Sequence, residues 1–279
     1  MLTDYHVHLR PDKEGTTAER YFTSDNVDRY REAAEERGIE ELGVAEHIHR
    51  FVQSLDIWQH PWYRYWAKDD IDEYSEFVRE SGLRLGIEAD FLPGREDRVA
   101  NVLDGRPWDY VVGSVHFVGE DAVDVHGEPD WAVWDIWRDA DPERVWSRYF
   151  ETLGEAARTG MFDILAHPDL VKVFGNRVPA PEGDLRRFYV RAMDGIAESD
   201  VAIEVSTAGL RKPAGEMYPA APFLEMCLDA GRPVALSSDA HTPEQLGYEY
   251  ERAVEWLNDL GVTELAVFEA RARRLGPIG

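Results

Sequence analysis

The sequence predicts an α/β barrel formed by the whole chain, residues 1–279, as a single domain. Short apolar runs alternate with longer amphipathic segments, which is the pattern of a parallel sheet with crossover helices. Seven such runs favour a barrel over an open sheet, and 279 residues, 44% of them hydrophobic, are enough for one sizeable core. The predicted strands are residues 2–8, 41–46, 83–91, 110–116, 163–167, 201–206 and 233–238.

The amphipathic segments between these runs predict helices. Residues 27–37 and 70–80 are each followed closely by a glycine, Gly38 and Gly82, which is a common way for a helix to end. Further helices are predicted at residues 142–159, 185–199, 221–230 and 243–260. Two aromatic-rich segments, residues 49–68 and 118–139, interrupt the alternation. We expect both to be long loops over one end of the barrel, where barrels build their active sites.

The amino-acid composition limits the classes of molecule that the protein is expected to bind. A formal net charge of −25 repels nucleic-acid phosphates and anionic membranes, so neither partner is expected. A small phosphorylated substrate stays compatible if a few cations are placed locally. The single cysteine, Cys227, cannot form an internal disulfide, and the chain shows no apolar signal segment and no membrane-spanning run. These features favour a cytoplasmic location and leave the oligomeric state open.

Histidines and carboxylates concentrate at the carboxyl ends of the predicted strands. Six of the nine histidines lie there, and in a parallel barrel those ends converge on one face. Because residues i and i+2 of a strand point to the same side, three pairs are expected to project together into the barrel mouth. These pairs are His6 with His8, Glu88 with Asp90, and Asp239 with His241.

Neutral imidazoles combined with carboxylates suit Zn²⁺, Mn²⁺ or Fe²⁺ better than Ca²⁺ or Mg²⁺. One His-x-His pair is most often a chance occurrence, but six histidines at strand ends with acidic companions predict a metal centre. Their number exceeds the needs of one ion, so we expect two or three ions that share a bridging carboxylate. No Gly-x-Ser-x-Gly elbow and no P-loop motif offers a competing chemistry.

The order of these motifs resembles the polymerase-and-histidinol-phosphatase (PHP) superfamily over nearly the whole chain. The opening His-x-His motif and the acidic residue before glycine match first, and Ala45-Glu46 stands where the family usually has Thr-Asp. The remaining motifs are GIEAD, GSVHF, AHPDL and SSDAH. Longer stretches such as IEADFLPG and STAGLRKPAGEMYPAAPFL resemble the histidinol-phosphatase branch.

The resemblance implies a distorted (β/α)₇ barrel of the TIM type with three metal ions. It also implies a phosphomonoesterase that acts on L-histidinol phosphate in histidine biosynthesis. It assigns one ion to His6, His8, Glu88 and Asp239, a second to Glu88, His116 and His167, and a third to Glu14, His47 and His241. Glutamate at position 14, where this branch often has histidine, is a departure that bears on the third site.

The expected mechanism is attack of a metal-bridging hydroxide on phosphorus, with Asp239 or His241 assisting proton transfer. Lys172, Arg177 and Arg211 follow the fifth and sixth strands and are expected to bind the phosphate. The aromatic loop and nearby acidic residues are expected to receive the imidazole and amine. Two alternatives stay open, another phosphate ester (sugar phosphate, nucleotide or phosphotyrosine) and a non-catalytic metal-binding barrel. An amidohydrolase is disfavoured, because the sixth strand carries no histidine.

Overall fold

The computed structural model describes residues 1–139 and 141–279. Its strands are β1 (Leu2–Asp4), β2 (Ile39–His47), β3 (Arg84–Asp90), β4 (Tyr110–Ser114), β5 (Phe117–Val118), β6 (Asp121–Ala122), β7 (Ile164–Leu165), β8 (Ala202–Ser206), β9 (Val234–Ser237), β10 (Glu264–Glu269) and β11 (Ala272–Pro277). Its α-helices are α1 (Ala18–Tyr21), α2 (Ser24–Glu36), α3 (Pro61–Trp66), α4 (Ile71–Ser81), α5 (Glu96–Leu103), α6 (Pro142–Arg158), α7 (Arg186–Glu198), α8 (Ala221–Asp229) and α9 (Tyr250–Asp259).

Seven strands form one parallel sheet in the order β1-β2-β3-β4-β7-β8-β9, so each strand lies beside the next one along the chain. The sheet nearly closes on itself. Val7, just after β1, forms a parallel bridge with Ala240, just after β9, and the His8 N–H donates to the Ala240 carbonyl at 2.7 Å. The predicted seven-stranded barrel is confirmed.

The first strand is shorter than the prediction. Residues 2–8 were expected to be regular, but β1 ends at Asp4, after a register shift between Leu2 and Thr3. The chain then runs on toward Ala240 without regular pairing. His6 and His8 therefore lie on an irregular extended segment at the barrel mouth.

The helix predictions hold at most positions and fail at one. Asp70 caps the start of α4 through the N–H groups of residues 72 and 73, and Gly82 ends it in the left-handed conformation at φ 74°. The long helix predicted at residues 243–260 is instead a short 3₁₀ turn, Pro243–Gln245, followed by α9. Gly247 and Glu249 separate the two, because their positive φ angles of 59° and 55° are incompatible with a continuous helix.

Aromatic side chains fill the amino-terminal half of the barrel. The rings of Tyr5, Tyr110 and Phe268 contact one another, and all three are fully or almost fully buried. Gly43 and Gly86 make room for the Tyr110 ring, since a Cβ at either position would overlap it. Phe268 belongs to the β10–β11 hairpin, which the sequence analysis did not predict. This packing fills the barrel interior at the amino end, and the strand-end histidines lie at the other, carboxyl end.

Within the two described ranges, no helix combines the length and apolar character that crossing a bilayer would require.

Candidate metal centre

The strand-end histidines converge at the carboxyl end of the barrel. Four overlapping groups have potential ligand atoms that all lie within 4.8 Å of one another. The groups are His6–His8–Asp239, His6–Glu88–His167, His47–Glu88–His116 and His8–His47–His241. Eight of the nine predicted metal ligands are thus brought together, and Glu14 is the exception.

Glu88, near the end of β3, lies at the middle of the cluster and is almost fully buried. Its two oxygens face different histidines. Oε1 lies 3.4 Å from His116 Nε2 and 3.2 Å from His167 Nε2, and Oε2 lies 3.2 Å from His6 Nε2 and 3.6 Å from His8 Nε2. This division of the carboxylate is what a residue that bridges two metal ions requires.

Several buried nitrogen atoms of the cluster have no hydrogen-bond partner among the described residues and are therefore suited to bind metal ions. Both ring nitrogens of His8 and Nε2 of His6 are buried and make no hydrogen bond to any described residue. Such orphaned atoms are costly unless something occupies them. Burial of the His8 ring, next to the rings of His47 and His241, holds its pKa well below the usual 6.5. His8 is therefore neutral at pH 7, the form that binds a metal.

Other ligands carry protons that a metal ion would displace. Burial alone would lower the pKa of His116, but the carboxylates of Glu88 and Asp90 outweigh it and raise the pKa to about 9. For His47, Glu88 and Asp12 outweigh burial and raise the pKa to about 10. Metal binding at neutral pH therefore releases protons from both rings.

Two carboxylates contact the outer ring nitrogens of the histidines. Glu204 in β8 accepts from His6 Nδ1 at 2.8 Å, and Asp90 at the end of β3 accepts from His116 Nδ1 at 2.6 Å. The Tyr63 hydroxyl in turn donates to Asp90 at 2.6 Å. These contacts leave Nε2 of each ring for the cluster. The sequence analysis grouped Asp90 with the cluster without assigning it a contact, and it overlooked Glu204.

Two of the cluster residues have strained backbones. His167 and Asp239 have positive φ angles of 26° and 50°. Non-glycine residues in this region cost on the order of 1–3 kcal/mol each, and such strain concentrates at functional sites. Asp239 Oδ1 lies 3.4 Å from His8 Nε2, and the Arg211 guanidinium donates to the carbonyls of Ser238 and Asp239 at 2.8 and 2.9 Å. Arg211 therefore supports the turn that presents Asp239.

The structure does not bring Glu14 to the predicted third site. Glu14 is exposed and interacts with Tyr65. Asp12, from the same turn, lies 2.7 Å from His241 Nε2 and 3.5 Å from His47 Nε2. The buried Arg50 forms an ion pair with Asp12 and so draws this residue inward. The carboxylate facing His47 and His241 is thus that of Asp12, about half exposed at 48%.

A cavity of about 330 Å³ opens above the cluster. Both predicted loops contribute to it: residues 49–68 supply Trp62 and Trp66, and residues 118–139 supply Asp124, Glu128 and Trp131. The Trp62 and Trp131 rings contact across the two loops at a centroid distance of 4.7 Å. From the cluster, the cavity is lined by His47, His116, His167, Asp239 and His241.

The three predicted phosphate contacts have different surroundings. Lys172 is buried away from this cavity, because its ammonium is held by Asp169 at 2.8 Å and Glu216 at 3.2 Å. Arg177 is exposed and is not among the cavity-lining residues. Arg211 is not among the cavity-lining residues either, but it bonds the backbone of Ser238 and Asp239, and its buried Nη1 has no hydrogen-bond partner among the described residues. Lys212, its neighbour, lines the cavity directly.

Comparisons with known proteins agree with this architecture. A probable histidinol-phosphatase of Deinococcus radiodurans is 37% identical over 186 residues, which cover 67% of this chain and 68% of the relative. A probable histidinol-phosphatase of Schizosaccharomyces pombe is 30% identical over 177 residues, covering 58% of this chain and 54% of the relative. The crystal structure of a histidinol phosphate phosphatase from Lactococcus lactis, complexed with zinc, L-histidinol and phosphate, aligns with a TM-score of 0.70 at 19% identity and covers 98% of both chains. That structural likeness shows a common fold.

The family model described as the PHP domain matches residues 21–208. The matched segment includes His47, Glu88, His116 and His167, and the remaining candidate ligands lie in the segments after β1 and β9. With this match over most of its length, and with the Deinococcus relative aligned over two thirds of both chains, the chain belongs to the PHP domain family.

Proposed function

We propose that this chain is a metal-dependent phosphomonoesterase that hydrolyses L-histidinol phosphate to L-histidinol and phosphate. The observation that carries the proposal is Glu88, whose two oxygens face separate histidine groups beneath a cavity large enough for a small ester. The relatives named as probable histidinol-phosphatases support the choice of substrate.

The cluster has enough ligands for two or three divalent ions, and its imidazoles and carboxylates suit Zn²⁺, Mn²⁺ or Fe²⁺. Bound there, such ions would lower the pKa of water and offset the charge on the phosphate oxygens. His6, His8, Glu88 and Asp239 would hold one ion, and Glu88, His116 and His167 a second. His47 and His241 would hold a third together with Asp12, the carboxylate that faces them.

Asp239 and His241 are the proposed proton-transfer groups, and both line the cavity. Burial would raise the pKa of Asp239, but the rings of His6, His8 and His241 outweigh it and hold the pKa well below 3.8. Asp239 is therefore ionised at neutral pH, the form in which a carboxylate can bind a metal ion. His241, on the same cavity wall, is the alternative proton-transfer group.

Arg211 and Lys212 are the proposed cations for the phosphate. Arg211 uses Nη2 on two backbone carbonyls and keeps Nη1 buried without a partner among the described residues. Lys212 places a second positive charge on the cavity wall. Arg177 stays a proposed contact only if its exposed loop moves, whereas Lys172 is neutralised by Asp169 and Glu216.

The outer half of the cavity suits a cationic organic group. Trp62, Trp66 and Trp131 form an aromatic wall, and Asp124 and Glu128 add two carboxylates. Aromatic faces and carboxylates together bind ammonium and imidazolium groups. Histidinol carries an ammonium group and an imidazole ring, so the organic half of its phosphate ester complements this wall while the phosphate reaches the histidine cluster.

The test is a purified-protein assay that compares kcat/KM for histidinol phosphate with a sugar phosphate, a nucleoside monophosphate and a phosphotyrosine peptide. Bound metal is quantified on the same sample. We expect the highest kcat/KM for histidinol phosphate. A higher value for any other ester would overturn the substrate assignment, and bound metal without hydrolysis of any ester would favour a non-catalytic barrel.

A paired substitution separates the organic half of the substrate from the phosphate. Asp124→Asn with Glu128→Gln should raise KM for histidinol phosphate and leave KM unchanged for an aryl phosphate whose aryl group carries no charge. Glu120→Gln is the matched control, because Glu120 lies on the same loop but outside the cavity. Equal KM changes for both esters would contradict the proposed role of these carboxylates.

A further inference from the structure

Glu204 is a buried carboxylate that touches two separate parts of the metal cluster. It lies in the middle of β8 and is 1% exposed. Its Oε1 accepts from His6 Nδ1 at 2.8 Å and from the Ser237 hydroxyl at 2.5 Å, and its Oε2 accepts from the backbone N–H of His167 at 2.5 Å. Three other parts of the barrel therefore contact this one side chain of β8: the segment after β1, the segment after β7, and β9.

No lysine or arginine among the described residues lies within 4.0 Å of Glu204, and His6 is its only ionisable partner. An ionised carboxylate buried without a cation is costly, and natural interiors keep such charges only where something compensates them. A metal ion bound to the other nitrogen of the His6 ring would provide the positive charge that compensates Glu204. A carboxylate, a histidine and a metal ion in line form a common arrangement in metalloproteins.

The contact also decides which nitrogen of His6 is free. An ionised carboxylate only accepts hydrogen bonds, so the His6 proton is on Nδ1. In the neutral ring, the form that binds a metal ion, Nε2 then carries the lone pair, and this atom lies 3.2 Å from Glu88 Oε2 and 3.8 Å from Asp239 Oδ1. The tautomer set by Glu204 is therefore the one that presents a ligand atom to the proposed first ion.

The second contact acts on the backbone. His167 has a φ of 26°, which a histidine rarely adopts, and its N–H is held by Glu204. The conformation aims Nε2 of His167 at Glu88 Oε1, at 3.2 Å. We propose that Glu204 is a positioning residue of the metal centre, which fixes the His6 tautomer and the His167 backbone and so couples the first and second ion sites.

The test measures metal binding without substrate, on the full chain after chelation. Co²⁺ is titrated against a competing chelator, and its visible absorption reports the ligand geometry. Glu204→Gln keeps the side-chain shape but has one oxygen and no charge to serve three donors. We expect its Co²⁺ affinity to fall roughly 10–100-fold with an altered spectrum, the range measured when outer-shell partners of metal ligands are removed.

Asp169→Asn is the matched control. Asp169 is also a fully buried carboxylate, but it bonds Lys172 and the Ala220 N–H instead of a histidine ring. This variant should lose thermal stability while it keeps wild-type Co²⁺ affinity and spectrum. Wild-type affinity and spectrum in Glu204→Gln would overturn the proposal, as would an equal loss of affinity in Asp169→Asn.

If Glu204→Gln does not fold, Glu204→Asp is the second variant. It keeps the negative charge but places the carboxylate one methylene farther from the three donors. A Co²⁺ affinity that is reduced by up to tenfold from the wild-type value, with an altered Co²⁺ spectrum, supports the proposal. An unchanged spectrum overturns it. The inference rests on the metal centre of the proposed function and not on its substrate. A failure of the Co²⁺ test is therefore distinguishable from a failure of the histidinol phosphate assay.

Discussion

Asp4 offers a quantitative test of how the barrel is closed beside the metal centre. It lies at the end of β1 with 0% exposure and accepts from the Ser238 N–H at 3.0 Å, the Ser238 hydroxyl at 2.5 Å and the Gly247 N–H at 3.3 Å. These contacts join β1 to the turn that carries Asp239. Burial raises the pKa of Asp4 from 3.8 to about 6, against the opposing effect of the Ser238 hydrogen bonds.

The direction of the pH dependence follows from this raised pKa. Between pH 4 and 6 the folded protein keeps the Asp4 proton while the unfolded chain has lost it. Folding is therefore linked to proton binding, and this contribution to stability falls as the pH rises through that window. A shift from 3.8 to about 6, at about 1.4 kcal/mol per pKa unit, amounts to about 3 kcal/mol.

The perturbation is Asp4→Asn, which cannot ionise but keeps an oxygen for the Ser238 N–H. Urea denaturation of the metal-free wild type and variant, from pH 4 to 7, gives the free energy of unfolding of each. We expect the stability of the wild type relative to the variant to fall by about 3 kcal/mol over this range. Asp194→Asn, on an exposed part of α7, is the matched control.

A difference in the free energy of unfolding between wild type and Asp4→Asn that stays constant from pH 4 to 7 would refute the reasoning. So would a rise with pH, since that would mean a carboxyl whose pKa is lowered by folding. A slope of equal size in Asp194→Asn would show that the effect does not depend on burial of Asp4.

Three further predictions concern the site and its support. Glu88→Gln should abolish hydrolysis of histidinol phosphate and reduce bound metal, since Glu88 faces both ion sites; turnover near the wild-type value, with metal analysis of the same sample, would refute the shared-ligand assignment. Arg211→Ala should raise KM for the ester roughly tenfold with metal content intact, as one lost charged contact implies; lost metal at unchanged KM would place Arg211 in structural support alone. Arg50→Met should lower the free energy of unfolding by about 3–5 kcal/mol, because it removes the cation 2.8 Å from the fully buried Glu46 carboxylate and leaves the longer contact to Arg10 at 3.6 Å. A loss of less than about 1 kcal/mol in urea denaturation would contradict this.

The sequence was sufficient for the seven-stranded barrel, though not for the β10–β11 hairpin, because the relevant signals are local and periodic. Each strand is a short apolar run, and each run between helices adds one parallel strand to the same sheet. Parallel strands bring their carboxyl ends to one face, so residues at those ends meet whatever their separation in the chain. His6 and His167 meet Glu88 for this reason, as the pattern predicted.

Loop geometry limited the prediction of the remaining contacts. Glu14 and Asp12 belong to the same turn, and only the buried Arg50 shows which of them points inward. Lys172 follows a strand as a substrate contact would, but Asp169 and Glu216 hold its ammonium elsewhere. These outcomes depend on side-chain partners that chain spacing does not reveal.

By itself, the sequence determined the barrel, the end that carries the site and most of the candidate ligands, because strand period and parallel pairing follow from local composition. Only the tertiary structure decided the second layer of contacts around those ligands. Glu204 is a single charged residue within an apolar strand, a signal that the sequence does contain, but its partner His6 is 198 residues away. Which buried carboxylate meets which ring depends on how the strands are staggered around the closed barrel, and that is a property of packing over the whole chain.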